Sequence, residues 1–260
     1  MMNFMIETYP YLLLIFIRLT SFFMIAPLFS MKGVPTQFKL GFASFIALVA
    51  VTNLPVDEPL LLNGFYILLI IKEVGVGLAL GFTAALVLYT VQIAGAFIDF
   101  QMGFSIASVM DPQTGTQVPI IGHFKYILAL LFLLTVNGHH LMLDGVMQSF
   151  QTFPVESISF SAKIEDVAHF FTILFVEMFM IALQIALPIV GTLFLVDVAL
   201  GILAKTVPQL NIFAVGFPLK IIVGFIMLFL SMPIFFYILQ FLFEKILISM
   251  SQLMRLLGGA

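Results

Sequence analysis

Long apolar runs separated by short polar breaks extend along the whole chain. A helix needs about 20 predominantly apolar residues to cross a bilayer, and runs of about this length predict six helical spans. The predicted spans are about Tyr11–Met31, Gln37–Thr52, Val74–Ile98, Tyr126–Leu143, Val167–Val196 and Ile221–Phe243. The pattern therefore predicts an all-α membrane protein of long, kinked hydrophobic helices and helical hairpins.

The region before the third span leaves two arrangements open. Leu60–Ile71 is apolar but too short to cross alone, and Lys72 and Glu73 divide it from Val74–Ile98. Either one long tilted or bent helix forms, or a short helix precedes a full span. Small residues recur here at every fourth position, at Gly77, Gly81 and Ala85. They share one helix face and would admit a neighbouring helix, although glycine is also generally frequent in membrane helices.

Composition supports the membrane class and excludes several others. The chain is 62% hydrophobic and only 9% charged, with a mean hydropathy of +1.22. Soluble domains carry about 25% charged residues. A net charge of −3 is too small to indicate nucleic acid or anionic lipid as the principal partner. The absence of cysteine excludes disulfides, thiolate metal sites and thiol nucleophiles.

Two charged residues fall deep within predicted spans. Arg18 lies in the first span, where an arginine costs about 2.5–3.5 kcal/mol on insertion scales, so we expect it to face protein or water as part of a structural ion pair. Glu177 lies in the fifth span. A carboxyl group at that depth is either functional or kept neutral by burial, and the sequence names no partner for it.

The central segment, Phe100–His123, interrupts the apolar pattern. Asp111-Pro112 and Thr114-Gly115 favour turns, and prolines disfavour helix immediately before them. Its first half mixes small residues with apolar ones, namely Met102, Phe104, Ile106, Val109 and Met110. Such a segment suits neither bulk water nor a span. It could close an opening, since methionine adapts to irregular gaps, or it could be a connector that packs on its neighbours.

A second unusual connection is Asp197–Lys220. It contains two prolines and few charges, and the sequence predicts a hairpin tip whose loop is partly apolar. The tail, Glu244–Ala260, alternates apolar and polar residues as a short amphipathic helix does.

No catalytic or metal-binding motif stands out. His140 and Asp144 share a helix face, but one helix supplies too few ligands and no cysteine completes the set. Gly103–Ala107 ends in alanine where a nucleophile elbow requires glycine. No phosphate-binding glycine loop is present. The sequence therefore predicts a protein that is not an enzyme and that has no cofactor.

Three motifs together carry a family resemblance: GFSIASVMDPQTG at Gly103–Gly115, NGHHLML at Asn137–Leu143 and PQLNIFAVGFPLK at Pro208–Lys220. With them the chain resembles the FliR/SctT family of type III export gate subunits over nearly its whole length. The Asp-Pro-Gln-x-Gly form at Asp111–Gly115 favours the flagellar branch of the family. The last motif is the most specific, because PQ-x-N-x-F-x-x-GFP is improbable in a generic permease.

The resemblance implies a subunit that assembles with FliP, FliQ and FlhB in the bacterial inner membrane, at the flagellar basal body. It implies a FliP-like part at 1–165 and a FliQ-like hairpin at 166–243, which the amphipathic tail at 244–260 follows. The central segment would plug the pore, and the hairpin tip would face FlhB. The implied plug residues are Met102, Gly103, Phe104, Ile106, Val109, Met110, Asp111, Pro112 and Gly115. The implied tip residues are Asp197, Lys205, Pro208, Gln209, Asn211, Phe213, Gly216, Phe217 and Pro218.

The expected mechanism is gating of a pore through which unfolded flagellar proteins pass. Apolar residues at a constriction exclude water when the pore is empty and deform around a passing chain. Glu177 or Asp99 could also carry protons, although neutral structural carboxyl groups are common in such sites. Two alternatives are a small-solute secondary transporter, which should show paired broken helices in inverted repeats, and a passive assembly scaffold.

Overall fold

Seven α-helices make up the regular structure of the described residues, which contain no strand. The computed structural model describes residues 2–31, 33–53, 60, 63–104, 119–156, 163–209 and 211–258, with residues 2–7 described by their backbone alone. The helices are α1 Met2–Ile25, α2 Thr36–Asn53, α3 Gly64–Met102, α4 Ile120–Thr135, α5 Gly138–Thr152, α6 Ile164–Thr206 and α7 Ile212–Gly258. The predicted all-α membrane class is confirmed.

Helix α3 settles the arrangement that the sequence left open. It is one continuous helix of 39 residues, so Lys72 and Glu73 lie inside it and do not divide it. Gly77 and Gly81 on its small-residue face pack on α1, which decides between the two interpretations that the sequence left open for this face. A Cβ atom at Gly77 would lie 2.4 Å from the Arg18 carbonyl oxygen, and one at Gly81 would lie 2.9 Å from the Phe22 carbonyl oxygen. Glycine at these positions lets the two helix backbones approach closely.

The predicted fourth span is wrong in its boundaries. Residues 126–143 do not form one helix, because α4 ends at Thr135 and α5 begins at Gly138. Asn137 between them has φ 56°, ψ 26°, the left-handed conformation that asparagine tolerates better than most residues. The polar cluster at Asn137–His140 therefore marks a helix break rather than the end of a span.

The predicted connection Asp197–Lys220 is helical over most of its length. Helix α6 continues to Thr206 and α7 begins at Ile212, so only residues 207–211 separate the two helices of this hairpin. Apolar helix-forming residues on both sides of the turn extend the helices past the two lysines and past Pro218, which lies inside α7. The tail predicted as a separate helix is the last part of α7. Its buried positions, including Met250, Leu253 and Leu257, confirm the amphipathic pattern.

Fewer helices qualify as membrane spans than the six predicted. Four of those described, α1, α3, α6 and α7, are long and apolar enough to cross a bilayer, or five if the broken pair α4–α5 counts as one span. Helix α2 has the polar residues Thr36, Gln37, Lys39 and Asn53 at its ends, and these lower its hydropathy.

The helices belong to two compact units. The first unit comprises Met1–Val87, Leu133–Leu174 and Glu244–Ala260. The second unit comprises Leu88–Phe132 and Phe175–Phe243. The division at 165 into FliP-like and FliQ-like parts concerns likeness to other proteins and stays a prediction.

Candidate functional site

The residues at the two ends of the central segment form the candidate site, and they all lie in the second unit. We call Asp99–Phe104 and Pro119–Gly122 the root of the central segment. Of the predicted plug residues, Met102, Gly103 and Phe104 are in the root. The others lie outside the described residues, namely Ile106, Val109, Met110, Asp111, Pro112 and Gly115.

Asp99 ties the two sides of the root together. Its carboxylate accepts hydrogen bonds from the backbone N–H of Ile121, at 3.1 and 3.0 Å, and from that of Gly122, at 3.3 Å. Helix α4 begins at Ile120, so these are N–H groups of its first turn that have no acceptor within the helix. A carboxylate is also favoured there by the helix dipole. A buried side chain of α3 thus caps α4 from the opposite side of the root.

Two glycines bring the same helices into backbone contact. A Cβ atom at Gly95 would lie 2.1 Å from the Cα of Gly122, and one at Gly122 would lie 2.8 Å from the Gln92 carbonyl oxygen. Real Cβ atoms do not approach backbone atoms this closely, so no larger residue fits without moving a helix. Both ends of the central segment are therefore held side by side.

The root also packs on the α6–α7 hairpin. Met102 is fully buried, and its side chain fills the space that a side chain at Gly224 would need: a Cβ there would lie 2.6 Å from Met102 Cε. Gly103 has φ +88°, a conformation that favours glycine, and the Phe217 ring lies against it, 3.1 Å from the position of an added Cβ. Met102, Gly103 and Phe217, predicted as members of two separate sites, meet here.

A polar tie joins the same two elements. Gln101 Nε2 donates a hydrogen bond of 2.8 Å to Asp197 Oδ2, and the Lys220 ammonium pairs with Asp197 Oδ1. Asp197 and Lys220 were expected at the boundaries of the hairpin tip. The structure instead places them beside the root, while Gln101 was not predicted as a site residue. Its contact joins residues 96 positions apart, and no local pattern reports such a contact.

The remaining tip residues lie near the turn of the hairpin. Gly216 is buried, and an added Cβ there would lie 3.0 Å from Leu200 Cδ1, so the two helices touch at this point. Most of the other predicted tip residues are exposed, with Phe213 at 90%. These exposed residues are Lys205, Pro208, Gln209, Asn211, Phe213, Phe217 and Pro218. Their role as a partner-facing surface stays a prediction.

A separate charged cluster lies in the first unit. Arg18 and Glu73 are both fully buried, and Arg18 Nη2 donates to Glu73 Oε1 at 2.9 Å. Arg18 also donates to Ser149 Oγ at 3.0 Å and to the Phe153 carbonyl oxygen at 2.9 Å, and its guanidinium lies over the Phe150 ring. The structural ion pair predicted for Arg18 is confirmed.

Lys72 extends this cluster. Its ammonium lies 2.8 Å from Glu73 Oε1 and donates to the carbonyl oxygens of Pro154 and Val155, at 2.9 and 2.8 Å. Two cations thus share one carboxylate, and the Ser149 hydroxyl and backbone carbonyl groups after α5 accept further hydrogen bonds from them. The partners of Arg18 and Lys72 could not be read from the sequence, because Lys72 and Glu73 there resembled a polar break.

Two further ionisable residues lie within helices of the second unit. Glu177 is half-buried on α6, and a proton-carrying role for it stays a prediction, as it does for Asp99. Lys125 on α4 is fully buried, with its ammonium 4.5 Å from the centre of the Phe235 ring. Within the part of the chain that the structure describes, Lys125 Nζ has no hydrogen-bond partner.

The fold and the site define a multi-helix membrane protein with an anchored central segment, and comparison with known proteins gives its family. A family model described as bacterial export proteins, family 1, matches residues 9–246. The chain belongs to this family.

Curated relatives carry the name flagellar biosynthetic protein FliR. The chain is 48% identical to that of Bacillus subtilis (strain 168) over 257 residues, which cover 99% of each chain. It is 32% identical to that of Escherichia coli (strain K12) over 232 residues, covering 88% of this chain and 87% of the relative. The relative from Aquifex aeolicus (strain VF5) is 27% identical over 227 residues, with 86% and 85% covered. The resemblance stated from the sequence motifs is confirmed.

Proposed function

We propose that the chain is a core subunit of the flagellar type III protein export gate. It forms the protein-conducting pore with FliP and FliQ in the bacterial inner membrane at the flagellar basal body, with FlhB at the hairpin tip. Residues Met102–Gly115 of the central segment plug this pore. Family membership and the shared name of the relatives support the assignment to flagellar export.

The observation that best supports a plug role for the central segment is the anchoring of its root. Asp99 caps α4, and Gly95 and Gly122 hold α3 and α4 in contact. A plug must stay attached at both ends when a polypeptide displaces it, and this root provides two fixed ends. The intervening residues are mostly apolar or small, so they exclude water from an empty pore. Met110 adapts to the shape of a passing chain.

A leak measurement tests the plug. In the chain co-expressed with FliP and FliQ, the apolar residues Ile106, Val109 and Met110 are replaced together by serine. We expect assembled complexes in membrane vesicles to release potassium faster than the wild type. Met102 is left unchanged because it packs on Gly224.

The matched control is Gly191→Ala, since Gly191 faces open space on α6. It should leave the leak unchanged. If the serine variant assembles normally and retains potassium as the wild type does, the plug is refuted and the chain is a passive scaffold. A chain that is stable and moves a small solute without FliP and FliQ would instead be a transporter.

A further inference from the structure

We propose that the α6–α7 hairpin controls the central segment through a latch at its root. The latch consists of Gln101, Met102 and Gly103 on one side and Asp197, Phe217, Lys220 and Gly224 on the hairpin. While the latch is closed the root is held, and a shift of the hairpin releases it. This inference rests on the proposed plug function and adds the element that operates the plug.

Asp197 is the shared acceptor of the polar part. Gln101 uses one carboxylate oxygen, at 2.8 Å, and Lys220 pairs with the other. The Asp197 side chain is 38% exposed and that of Lys220 is 21% exposed. Exposed ion pairs are weak because water competes for both partners. The polar tie therefore positions the root without fixing it permanently, as a latch requires.

The apolar part sets the register of the latch. The Met102 side chain fills the space left by the missing side chain of Gly224, and the Phe217 ring covers Gly103. These contacts come from positions seven residues apart on α7, which is about two helical turns, so both lie on one side of that helix. A rotation or slide of α7 would thus disengage Met102 and Phe217 together.

The hairpin can transmit such a movement because its two helices touch beyond the latch. Gly216 on α7 packs against Leu200 on α6, and Asp197 and Phe217 each lie within one turn of this contact. The end of the hairpin is exposed at its described residues, with Phe213 at the start of α7 90% exposed in the chain alone. A protein that binds or moves this exposed end would displace the latch residues directly.

A reversible cross-link tests the latch, because the chain contains no cysteine. The added Cβ at Gly224 would lie 3.0 Å from Met102 Cγ, which places the two Cβ atoms within the reach of a disulfide. In the complex with FliP and FliQ, M102C/G224C is treated with a mild oxidant and then with a reductant. Secretion of flagellar proteins and potassium leak are measured in each state of this one variant.

We expect oxidation to lower secretion at least tenfold without raising the leak, and reduction to restore secretion. M102C alone and G224C alone should show no dependence on the oxidant. Secretion that is equal in the oxidised and reduced double variant would overturn the latch. So would failure of the two cysteines to cross-link in an assembled complex.

A charge substitution gives the opposite test. Gln101→Glu places a second carboxylate beside Asp197, so we expect it to open the latch and raise the resting leak several-fold. Gln252→Glu adds the same charge at an exposed position of the first unit and should not change the leak. An assembled Gln101→Glu complex with the wild-type leak would contradict the latch.

The two proposals fail differently. If the serine variant of the central segment leaks while the cross-link has no effect on secretion, the plug stands and the latch is wrong. If the serine variant does not leak, the plug itself is wrong.

Discussion

Buried cations have different hydrogen-bonding environments in the two units. In the first unit, Arg18 and Lys72 are buried with a shared carboxylate and hydrogen-bond acceptors on Ser149, Phe153, Pro154 and Val155. In the second unit, Lys125 is buried over Phe235, with no hydrogen-bond partner for its Nζ among the described residues. A fully satisfied network resists rearrangement, whereas an unsatisfied group raises the energy of the state that contains it.

The ion pairs of the two units differ in their exposure to water. The Arg18–Glu73 pair is completely excluded from water, while the Asp197–Lys220 pair is partly exposed. The first unit is therefore built to keep one arrangement. In the second unit, the ion pair between Asp197 and Lys220 beside the root is partly exposed and costs little to break, as the proposed latch requires.

The largest expected effect comes from breaking the satisfied cluster. Glu73→Gln leaves Arg18 and Lys72 buried without a carboxylate, and loss of one member of a buried ion pair costs about 3–5 kcal/mol. We expect the complex purified with FliP and FliQ to unfold at a clearly lower temperature and the chain to accumulate poorly in membranes. Glu244→Gln, at an exposed position, is the control. Equal stability of the two variants would show that the cluster does not hold the first unit together.

The contact between α3 and α4 should be nearly as sensitive. Gly95→Ala places a methyl group against the Gly122 backbone, which cannot yield by a change of rotamer. Overpacking of this kind costs about 1–3 kcal/mol, occasionally more. Thermal unfolding of the complex should show the loss, and Gly191→Ala should show none, because its methyl group meets open space. A stable Gly95→Ala complex would mean that the root is less closely packed than described.

Lys125 provides a prediction of opposite sign. Lys125→Met removes an amine without a hydrogen-bond partner and keeps the length of the side chain, so we expect a gain of about 1–3 kcal/mol in stability. Lys72→Met removes a satisfied ammonium group and should destabilise the complex. Melting temperatures of the two variants, measured side by side, test the comparison between the units directly. If both substitutions destabilise the complex, the buried lysines of the two units do not differ in the way described.

The smallest change in stability is expected at the latch. Asp197→Asn weakens a partly exposed ion pair, which is worth about 0–1 kcal/mol. The melting temperature should therefore hardly move, while the potassium leak rises because Lys220 and Gln101 hold the amide less firmly. A large loss of stability with no change in leak would make Asp197 a purely structural residue.

Much of the architecture could be predicted because it depends on local pattern. The apolar runs located the helices, and the cost of burying Arg18 predicted an ion pair for it. The four-residue spacing of Gly77 and Gly81 indicated a shared helix face that could admit another helix, although ordinary glycine frequency in membrane helices was an equal alternative. These predictions rest on burial and periodicity, which a single sequence displays.

The sequence fell short where tertiary contacts override local signals. It could not decide whether Lys72 and Glu73 divide a helix, because charged residues are costly in a span, and the carbonyl groups after α5 that satisfy Lys72 inside a continuous helix are distant in the chain. Asn137 and Gly138 break a run that hydropathy alone joined. The caps and ties at the root depend on Asp99 and Gln101 meeting residues that are distant in the chain, and no alternation of residue types reveals such pairs.

Electrical recording from the reconstituted complex tests the central claim most directly. The complex of this chain with FliP and FliQ is placed in a planar bilayer, with the central segment intact or with residues 105–118 replaced by a short glycine-serine linker. The account predicts that the intact complex stays electrically closed and that the variant conducts ions continuously. An assembled variant that remains as closed as the intact complex would contradict it.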